Sequence, residues 1–88
     1  MIVAGFITVR SGDREEFLSL SAEAVAKARA AHGCLDFSVS PDILEAERVN
    51  VFEKWDSSTD LLNFRENGPS NRLTGLIVSA EVIEYEVG

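Results

Sequence analysis

The hydrophobic pattern of the chain changes its period several times, and each change predicts a new element. Residues 1–10 are rich in β-forming side chains and stop at Ser11-Gly12, a turn signal. From Phe17 the apolar residues recur at helical spacing, and from residue 35 they alternate strictly with polar ones. The first half of the chain is therefore predicted to form a strand, a helix and a second strand.

The first predicted helix has defined ends and a defined apolar side. Asp13 and Glu16 have the spacing of a capping box, and Gly33 suits the position that follows a helix C terminus. A helical period places five apolar residues on one side, namely Phe17, Leu20, Ala24, Ala28 and Ala31. We expect this side to be the buried one.

The second half of the chain repeats the change from strand to helix. Residues 47–55 alternate, with Val49, Val51, Glu53 and Trp55 on one face and Arg48, Asn50, Phe52 and Lys54 on the other. A second helix is predicted to start at residues 57–60 and to stop near Gly68-Pro69, before another helical turn in 70–76 and a last strand in 78–87. The order βαββαβ predicts one α+β domain over 1–88, with a four-stranded antiparallel sheet and helices on one face.

The first and last predicted strands are apolar on both faces, which bears on the oligomeric state. The first strand has Val3, Ile7 and Val9 on one face and Ile2, Ala4 and Phe6 on the other; the last has Val78, Ala80 and Val82 opposite Ile83, Tyr85 and Val87. A sheet with helices on one side should have a polar second face. Two apolar faces need two covers, so we expect a homodimer built through the sheets, with a monomer as the alternative.

Charge and cysteine content exclude several classes of partner. The 88 residues carry a net charge of −7, with 15 acidic and 8 basic side chains that are dispersed along the chain. Such a surface repels phosphate backbones and anionic lipid, so neither nucleic acid nor a membrane is expected as a partner. Cys34 is the only cysteine, and no basic stretch precedes the apolar residues 1–9. Both observations favour the cytoplasm.

The residue types that most often carry catalysis are sparse. His32, the only histidine, is interpreted as a surface residue at a helix end rather than as a general base, and Cys34 as a small buried hydrophobe. One histidine and one cysteine cannot supply a zinc shell. No glycine-rich nucleotide loop and no nucleophile elbow occur in the sequence. We therefore expect no bound metal and no cofactor.

Four aromatic residues indicate a different kind of site. Trp55, the only tryptophan, ends a predicted strand, and Phe64 follows nine residues later on the short helix. Phe6 and Phe17 could reach the same space from the first strand and the first helix. These rings predict an aromatic pocket between sheet and helices, and the equally weighted alternative is that they simply fill the core.

Two motifs in this region resemble a known family. The first is Gly33-Cys34-Leu35-x-Phe37; the second, Phe52-Glu53-x-Trp55-x-Ser57, precedes an apolar helix. With the opening strand and helix, they make nearly the whole chain similar to the antibiotic biosynthesis monooxygenase-like domains. This resemblance implies ferredoxin-like topology and a homodimer whose sheets pack face to face into a dimeric α+β barrel. It also implies a pocket in each subunit and, in some members, oxygenation of aromatic phenols or quinols by O2 without flavin or metal.

The resemblance carries over residue by residue only in part. It implies catalytic roles for Trp55 and Glu53, which match the Glu-x-Trp motif. Phe64 stands where many members carry a histidine. The strand-one asparagine of haem-degrading members falls near Gly5 or Phe6. The asparagine that aromatic-polyketide oxygenases place four residues before the tryptophan is Val51 here, with Asn50 beside it.

Three functional hypotheses follow. The first is a cofactor-independent monooxygenase acting on a small phenol or quinol, with a substrate site formed by Phe6, Phe17, Asn50, Trp55 and Phe64. The second is a non-catalytic homodimer that binds an apolar metabolite. The third is a structural dimer whose aromatic rings are only core. Glu53, Tyr85 and His32 are the candidate bases for the first.

Overall fold

The computed structural model describes residues 1–66 and 71–86, and for residues 71 and 72 it describes the backbone only. Seven elements follow one another in the order β1 (Ile2–Val9), α1 (Arg14–Ala30), β2 (Cys34–Pro41), β3 (Arg48–Trp55), α2 (Ser58–Glu66), α3 (Asn71–Thr74) and β4 (Ile77–Tyr85). The predicted βαββαβ order is therefore confirmed, with α3 as the additional helical turn. The predicted helix stop at Gly68-Pro69 and the face of Val87 lie outside the described residues.

The four strands form one antiparallel sheet in the order β2-β3-β1-β4. In the central pair, Val3 lies opposite Glu53 and Ile7 opposite Val49. On the other side of β1, Val3 lies opposite Glu84 and Ala4 opposite Ile83. Because side chains alternate along a strand, this register decides which residues share a face.

The helices cover one face of the sheet, and two groups of buried residues lie beneath them. One group consists of Val3, Ala28, Phe37, Trp55 and Leu61. The other consists of Ile7, Val9, Phe17 and Val49. The alternation predicted for β1 and β3 is thus confirmed, because the odd-numbered residues of both strands face the helices.

Helix α1 begins where it was predicted to begin, but its capping and its C-terminal end differ from the prediction. Asp13 is the N-cap, but its backbone is helical and its side chain makes no cap hydrogen bond; its carboxylate instead lies 3.4 Å from Nε of Arg10. The helix ends at Ala30, because Ala31 is extended. Gly33 therefore belongs to the following turn, where its φ is +81° and an added Cβ would overlap the side chain of Asp60. This turn packs directly against the start of α2.

The buried side of α1 is rotated slightly from the predicted one. Phe17 and Ala28 are buried as expected, but the third buried residue is Ser21 rather than Leu20. The Ser21 hydroxyl donates to the carbonyl of Phe17 at 2.7 Å, so burial leaves its hydrogen satisfied. The preceding turn of the same helix thus provides the acceptor that makes a buried polar residue tolerable in the core.

The start of α2 matches the predicted capping signal. The backbone N–H of Asp60 donates to Oγ of Ser57 at 3.2 Å, and the Ser57 hydroxyl donates to Oδ2 of Asp60 at 2.9 Å. One backbone N–H of the first helical turn is therefore satisfied by Ser57, whose own hydroxyl hydrogen is accepted by the Asp60 carboxylate. As a result, Asp60 is held in one orientation.

Candidate functional site

An apolar pocket lies between the sheet and the helices. Its volume is about 310 Å³. Its walls come from all three helices and all four strands, and they comprise Ile7, Phe17, Ser21, Ala24, Val25, Phe37, Val39, Val51, Phe64, Leu73, Thr74 and Ile77. Ser21 and Thr74 are the only polar residues among them. The pocket therefore suits an apolar, ring-sized occupant.

Three phenylalanines form the aromatic part of this pocket. Phe17 comes from α1, Phe37 from β2 and Phe64 from α2. The rings of Phe37 and Phe64 meet edge to face, with their centroids 6.0 Å apart. The structure thus brings together Phe17 and Phe64 as predicted. It adds Phe37, which the alternation of Phe37 and Val39 along β2 would have indicated.

Trp55 lies behind the pocket rather than in its wall. Its side chain is almost fully buried at 1% exposure, and its ring lies 5.3 Å from that of Phe64. The indole Nε1 donates to Oε1 of Glu53 at 3.0 Å. Trp55 therefore supports Phe64 from the interior and does not itself line the pocket.

Glu53 occupies the same helix-facing side of β3 and does not line the pocket. Burial raises the pKa of its carboxyl, against the opposing effects of the Trp55 indole N–H and the Arg65 guanidinium. Glu84 on β4 adds to the increase, and it forms an ion pair with Arg65 at 3.5 Å. Glu53 is thus a partly buried carboxylate that anchors the indole of Trp55.

Phe6 and Asn50 do not belong to this pocket, which corrects the predicted site. They lie opposite each other in the β1–β3 register, on the face that the helices leave open. The Arg48 guanidinium lies 3.8 Å from the centroid of the Phe6 ring. The reason is the alternation of the strand, because Ile7 and Val51 point into the pocket and their neighbours must point away.

The amide of Asn50 is engaged in a polar network at the β2–β3 loop. It donates to Oδ1 of Asp42 at 3.0 Å and accepts from Nε of Arg48 at 2.8 Å. The hydrogen bond from Asn50 and those from the N–H groups of Glu45 and Leu44 lower the pKa of Asp42 to about 2. Asn50 therefore stabilises a loop.

A second, polar depression lies beside the apolar pocket. This notch is about 300 Å³ in volume and is lined by Lys27, Ala31, His32, Asp60, Asn63 and Phe64. His32 is almost fully exposed, as expected for a helix-end residue, and its Nε2 lies 3.8 Å from Oδ1 of Asp60. Phe64 borders both the notch and the apolar pocket.

The donor set at the pocket does not fit a haem or a metal ion. Phe64 contributes a hydrocarbon ring where a ligating nitrogen would be needed, and Gly5 has no room even for a Cβ, which would overlap the carbonyl oxygen of Glu81. Among residues 1–66 and 71–86, no three His, Cys, Asp or Glu side chains are grouped closely enough to hold a metal ion. Within the same residues, no helix has the length and apolar character needed to cross a membrane.

The sheet order, the helices on one face and the apolar layer between them define a ferredoxin-like α+β protein. The chain belongs to the antibiotic biosynthesis monooxygenase family, whose model matches residues 1–72. No curated protein matches the sequence at a significant level.

Solved structures from several organisms share this fold. A conserved protein from Methanosarcina mazei superposes with a TM-score of 0.81 at 18% identity, covering 93% of this chain and 85% of that one. A "Putative antibiotic biosynthesis monooxygenase" from Nitrosomonas europaea has a TM-score of 0.83 at 11% identity, covering 98% and 96%. A variant of MhuD with two manganese protoporphyrin IX molecules bound per active site has a TM-score of 0.72 at 22% identity, covering 98% and 92%. At these identities the likeness shows the fold alone.

Proposed function

We propose that the protein is a cofactor-independent monooxygenase that oxidises a small aromatic phenol or quinol in the apolar pocket. The observation that carries the proposal is the pocket itself, about 310 Å³ between sheet and helices with Phe17, Phe37 and Phe64 in its wall. Aromatic walls favour a flat ring by stacking and edge contacts. Membership of the antibiotic biosynthesis monooxygenase family supports the reaction class.

The proposed reaction balances without a cofactor. A phenol with a free para C–H bond reacts with one O2 to give a quinone and one water. One oxygen atom forms the new C=O group, the other leaves as water, and the substrate supplies all four electrons. The protein's part is to orient the ring, exclude water and assist removal of the phenolic proton.

Residues of the site take distinct roles in this proposal. Phe17 and Phe64 contact the substrate ring. Trp55 supports Phe64 from behind, and Glu53 holds the Trp55 indole through its hydrogen bond of 3.0 Å. Trp55 and Glu53 therefore act as positioning residues, since neither lines the pocket. Phe6 and Asn50 have no contact with the substrate.

The proposal includes a homodimer built through the open faces of two sheets. The apolar residues on this face are Ile2, Ala4, Phe6, Phe52, Ile83 and Tyr85, and Ile83 and Tyr85 retain 56% and 49% exposure. Burial of such a face by a second copy removes apolar surface from water. We also propose a cytoplasmic location, because the single cysteine has no partner within the chain for a disulfide.

Light scattering after size exclusion tests the dimer. At micromolar concentration the mass should be about twice 9.6 kDa. Ile83→Glu places a charge in the proposed interface and should shift the population toward the monomer, whereas Ser58→Glu on the exposed start of α2 should leave the mass unchanged. A monomeric wild-type protein would contradict the barrel.

Binding and oxygen uptake test the activity. Calorimetric titration with α-naphthol should give saturable binding, and an oxygen electrode should record uptake that depends on the protein. Phe64→Ala should enlarge the pocket at a cost below about 1.5 kcal/mol, compared with about 3–5 kcal/mol for a ring packed in a core. A large loss of stability with no binding of any aromatic ligand would favour a purely structural role.

A non-catalytic binding protein is the second candidate. It is favoured by the pocket wall, where Ser21 and Thr74 are the only polar residues. The family resemblance also implies a histidine at the position of Phe64, and this chain lacks it. Saturable binding of α-naphthol without oxygen uptake by a range of phenols and quinols would select this candidate.

A further inference from the structure

The apolar pocket by itself provides poorly for the hydroxyl group of a phenol. Its two polar residues are Ser21 and Thr74, and Ser21 directs its hydroxyl hydrogen to the carbonyl of Phe17 at 2.7 Å. Burial of a hydroxyl group without a hydrogen-bond partner costs on the order of 1–3 kcal/mol of free energy relative to water. The wall therefore offers a phenol few polar partners, and the polar groups of the neighbouring notch would add to them.

Phe64 separates the apolar pocket from the polar notch that contains His32 and Asp60. Its ring contacts Phe37 and Trp55, and its side chain is only half-buried. Phe64 is the one side chain that both linings share, so a change of its rotamer is the movement that would connect the two spaces. The polar groups nearest to the ring pocket across Phe64 are those of the notch.

The Asp60 carboxylate has a fixed orientation in which it can accept a hydrogen bond. The Ser57 hydroxyl occupies its Oδ2, and Gly33 packs so closely that no Cβ would fit beside the carboxylate. Its side chain is 13% exposed, and Oδ1 lies 3.8 Å from Nε2 of His32. That separation exceeds a hydrogen bond, so a hydroxyl group that approaches both atoms from the side can donate to Asp60 and lie against His32.

The charges of the notch favour a neutral donor over an anion. Lys27 is the permanent cation at its rim, and its ammonium group already forms an ion pair with Glu23 at 3.3 Å. The Asp60 carboxylate repels a carboxylate or phosphate group. A neutral phenolic hydroxyl meets neither obstacle, and a hydrogen bond to a charged acceptor is stronger than one between neutral groups.

We propose that the notch is the polar half of the binding site, in which Asp60 and His32 receive the hydroxyl group of a phenol whose ring lies in the apolar pocket, with Phe64 as the movable wall between them. This inference rests on the proposed binding of phenols and adds the residues that select them. It assigns His32 to a site that its exposed position at a helix end did not indicate.

A matched pair of ligands tests the inference by calorimetric titration. α-Naphthol carries the hydroxyl group, and α-methylnaphthalene replaces it with a methyl group of similar size. Asp60→Asn should weaken α-naphthol about five- to tenfold, the usual consequence of losing a charged acceptor, and should change α-methylnaphthalene less than twofold. His32→Ala, at an exposed position that does not endanger folding, should reduce the preference for α-naphthol in the same direction.

Asp56→Asn is the control, because it removes the same charge from an exposed residue near α2 that does not line the notch. It should leave the ratio of the two affinities unchanged. Binding of both ligands with the same ratio in wild type, Asp60→Asn and His32→Ala overturns the inference and leaves the proposed function standing. Failure of the wild-type protein to bind either ligand overturns both.

Discussion

The two faces of the sheet are built from alternate residues of the same strands, but their surroundings are opposite. On the helix-facing side Val3, Val49 and Trp55 have 1%, 0% and 1% exposure. On the open side Ile83 and Tyr85 have 56% and 49%. The helices cover the first face along β1 and β3 but leave its β4 residues exposed, with Val82 at 39%, and they leave the second face without a cover.

Polar residues also have different tasks on the two faces. On the helix-facing side Glu53 is desolvated and anchors the indole of Trp55, next to the wall of the pocket. At one end of the open side Asn50 and Asp42 form a hydrogen-bonded network that fixes a loop. The contrast shows that nearness along the chain does not indicate a shared site, because neighbours on a strand, such as Asn50 and Val51, point to opposite faces.

Removal of a ring from each face should give the largest contrast in stability. Trp55→Ala deletes a buried ring and should cost about 3–5 kcal/mol, close to the whole stability of a small domain. Phe52→Ala, on the same strand but on the open face, should cost below about 1.5 kcal/mol in the monomer. Denaturant melts at low protein concentration measure both, and equal losses would contradict the asymmetry of the faces.

Gly5 tests how closely β1 and β4 approach. Its φ is +155°, and an added Cβ would overlap the Glu81 carbonyl oxygen and lie 2.8 Å from Cα of Val82. Gly5→Ala should therefore cost about 3 kcal/mol through strain and displacement of β4. Gly12→Ala is the control, because its φ of +87° carries the strain of a left-handed residue but nothing lies within 4 Å; about 1 kcal/mol is expected. Similar costs in thermal melts would exclude a steric role for the backbone of β4.

The network on the open side should have a smaller effect, with a distinct dependence on pH. Asn50→Ala removes two side-chain hydrogen bonds and should cost about 1 kcal/mol. Because Asn50 is the principal cause of the low pKa of Asp42, about 2, the carboxyl resonance should titrate at higher pH in the variant.

The sign of the pH dependence follows from that lowered pKa. A carboxyl group whose pKa is lower in the folded protein than in the unfolded chain stabilises the folded state at pH values above the unfolded pKa. This stabilisation by Asp42 is lost as the pH falls toward about 2. Asn50→Ala should therefore lose less stability on acidification than the wild-type protein. Ser40→Ala, at an exposed position opposite Asn50 in the register, serves as the control; an identical acid titration of Asp42 in all three proteins would refute the network.

The smallest expected effect concerns Glu53 on the helix-facing side. Its pKa is raised by burial, so the folded state binds a proton more tightly than the unfolded state. The corresponding stabilisation is complete below the unfolded pKa and is lost as the pH rises through the folded pKa. Glu53→Gln should remove this decline while keeping an acceptor for the Trp55 indole.

Stability and the fluorescence of Trp55, the only tryptophan, measure the effect of Glu53→Gln against pH. In the wild-type protein the emission should change as Glu53 titrates, at a pH above the ordinary value of a glutamate. Glu66→Gln, at an exposed position on α2, should leave that change in place. Persistence of the change in Glu53→Gln would show that another group is responsible.

The sequence by itself determined the order of the elements and the family. The alternation in β1 and β3 correctly separated Val49 and Trp55 from Asn50 and Phe52, because the period of a strand depends only on local geometry. The Ser57 to Asp60 capping signal was correct for the same reason, since its hydrogen bonds close within one turn. The capping and the C-terminal end of α1 were less predictable. Asp13 forms an ion pair with Arg10 instead of a cap hydrogen bond, and Gly33 packs directly against the side chain of Asp60.

The location of the pocket was decided only by the tertiary structure. The prediction grouped Phe6 with Phe17 and Phe64, but Phe6 lies on the other side of the sheet, and Trp55 lies behind the wall instead of in it. Leu73 and Ile77, which line the pocket, are more than 50 residues from Phe17 along the chain. Their meeting depends on the strand register and on where the helices pack, and these are set by contacts between distant residues that a local pattern of polar and apolar positions does not contain.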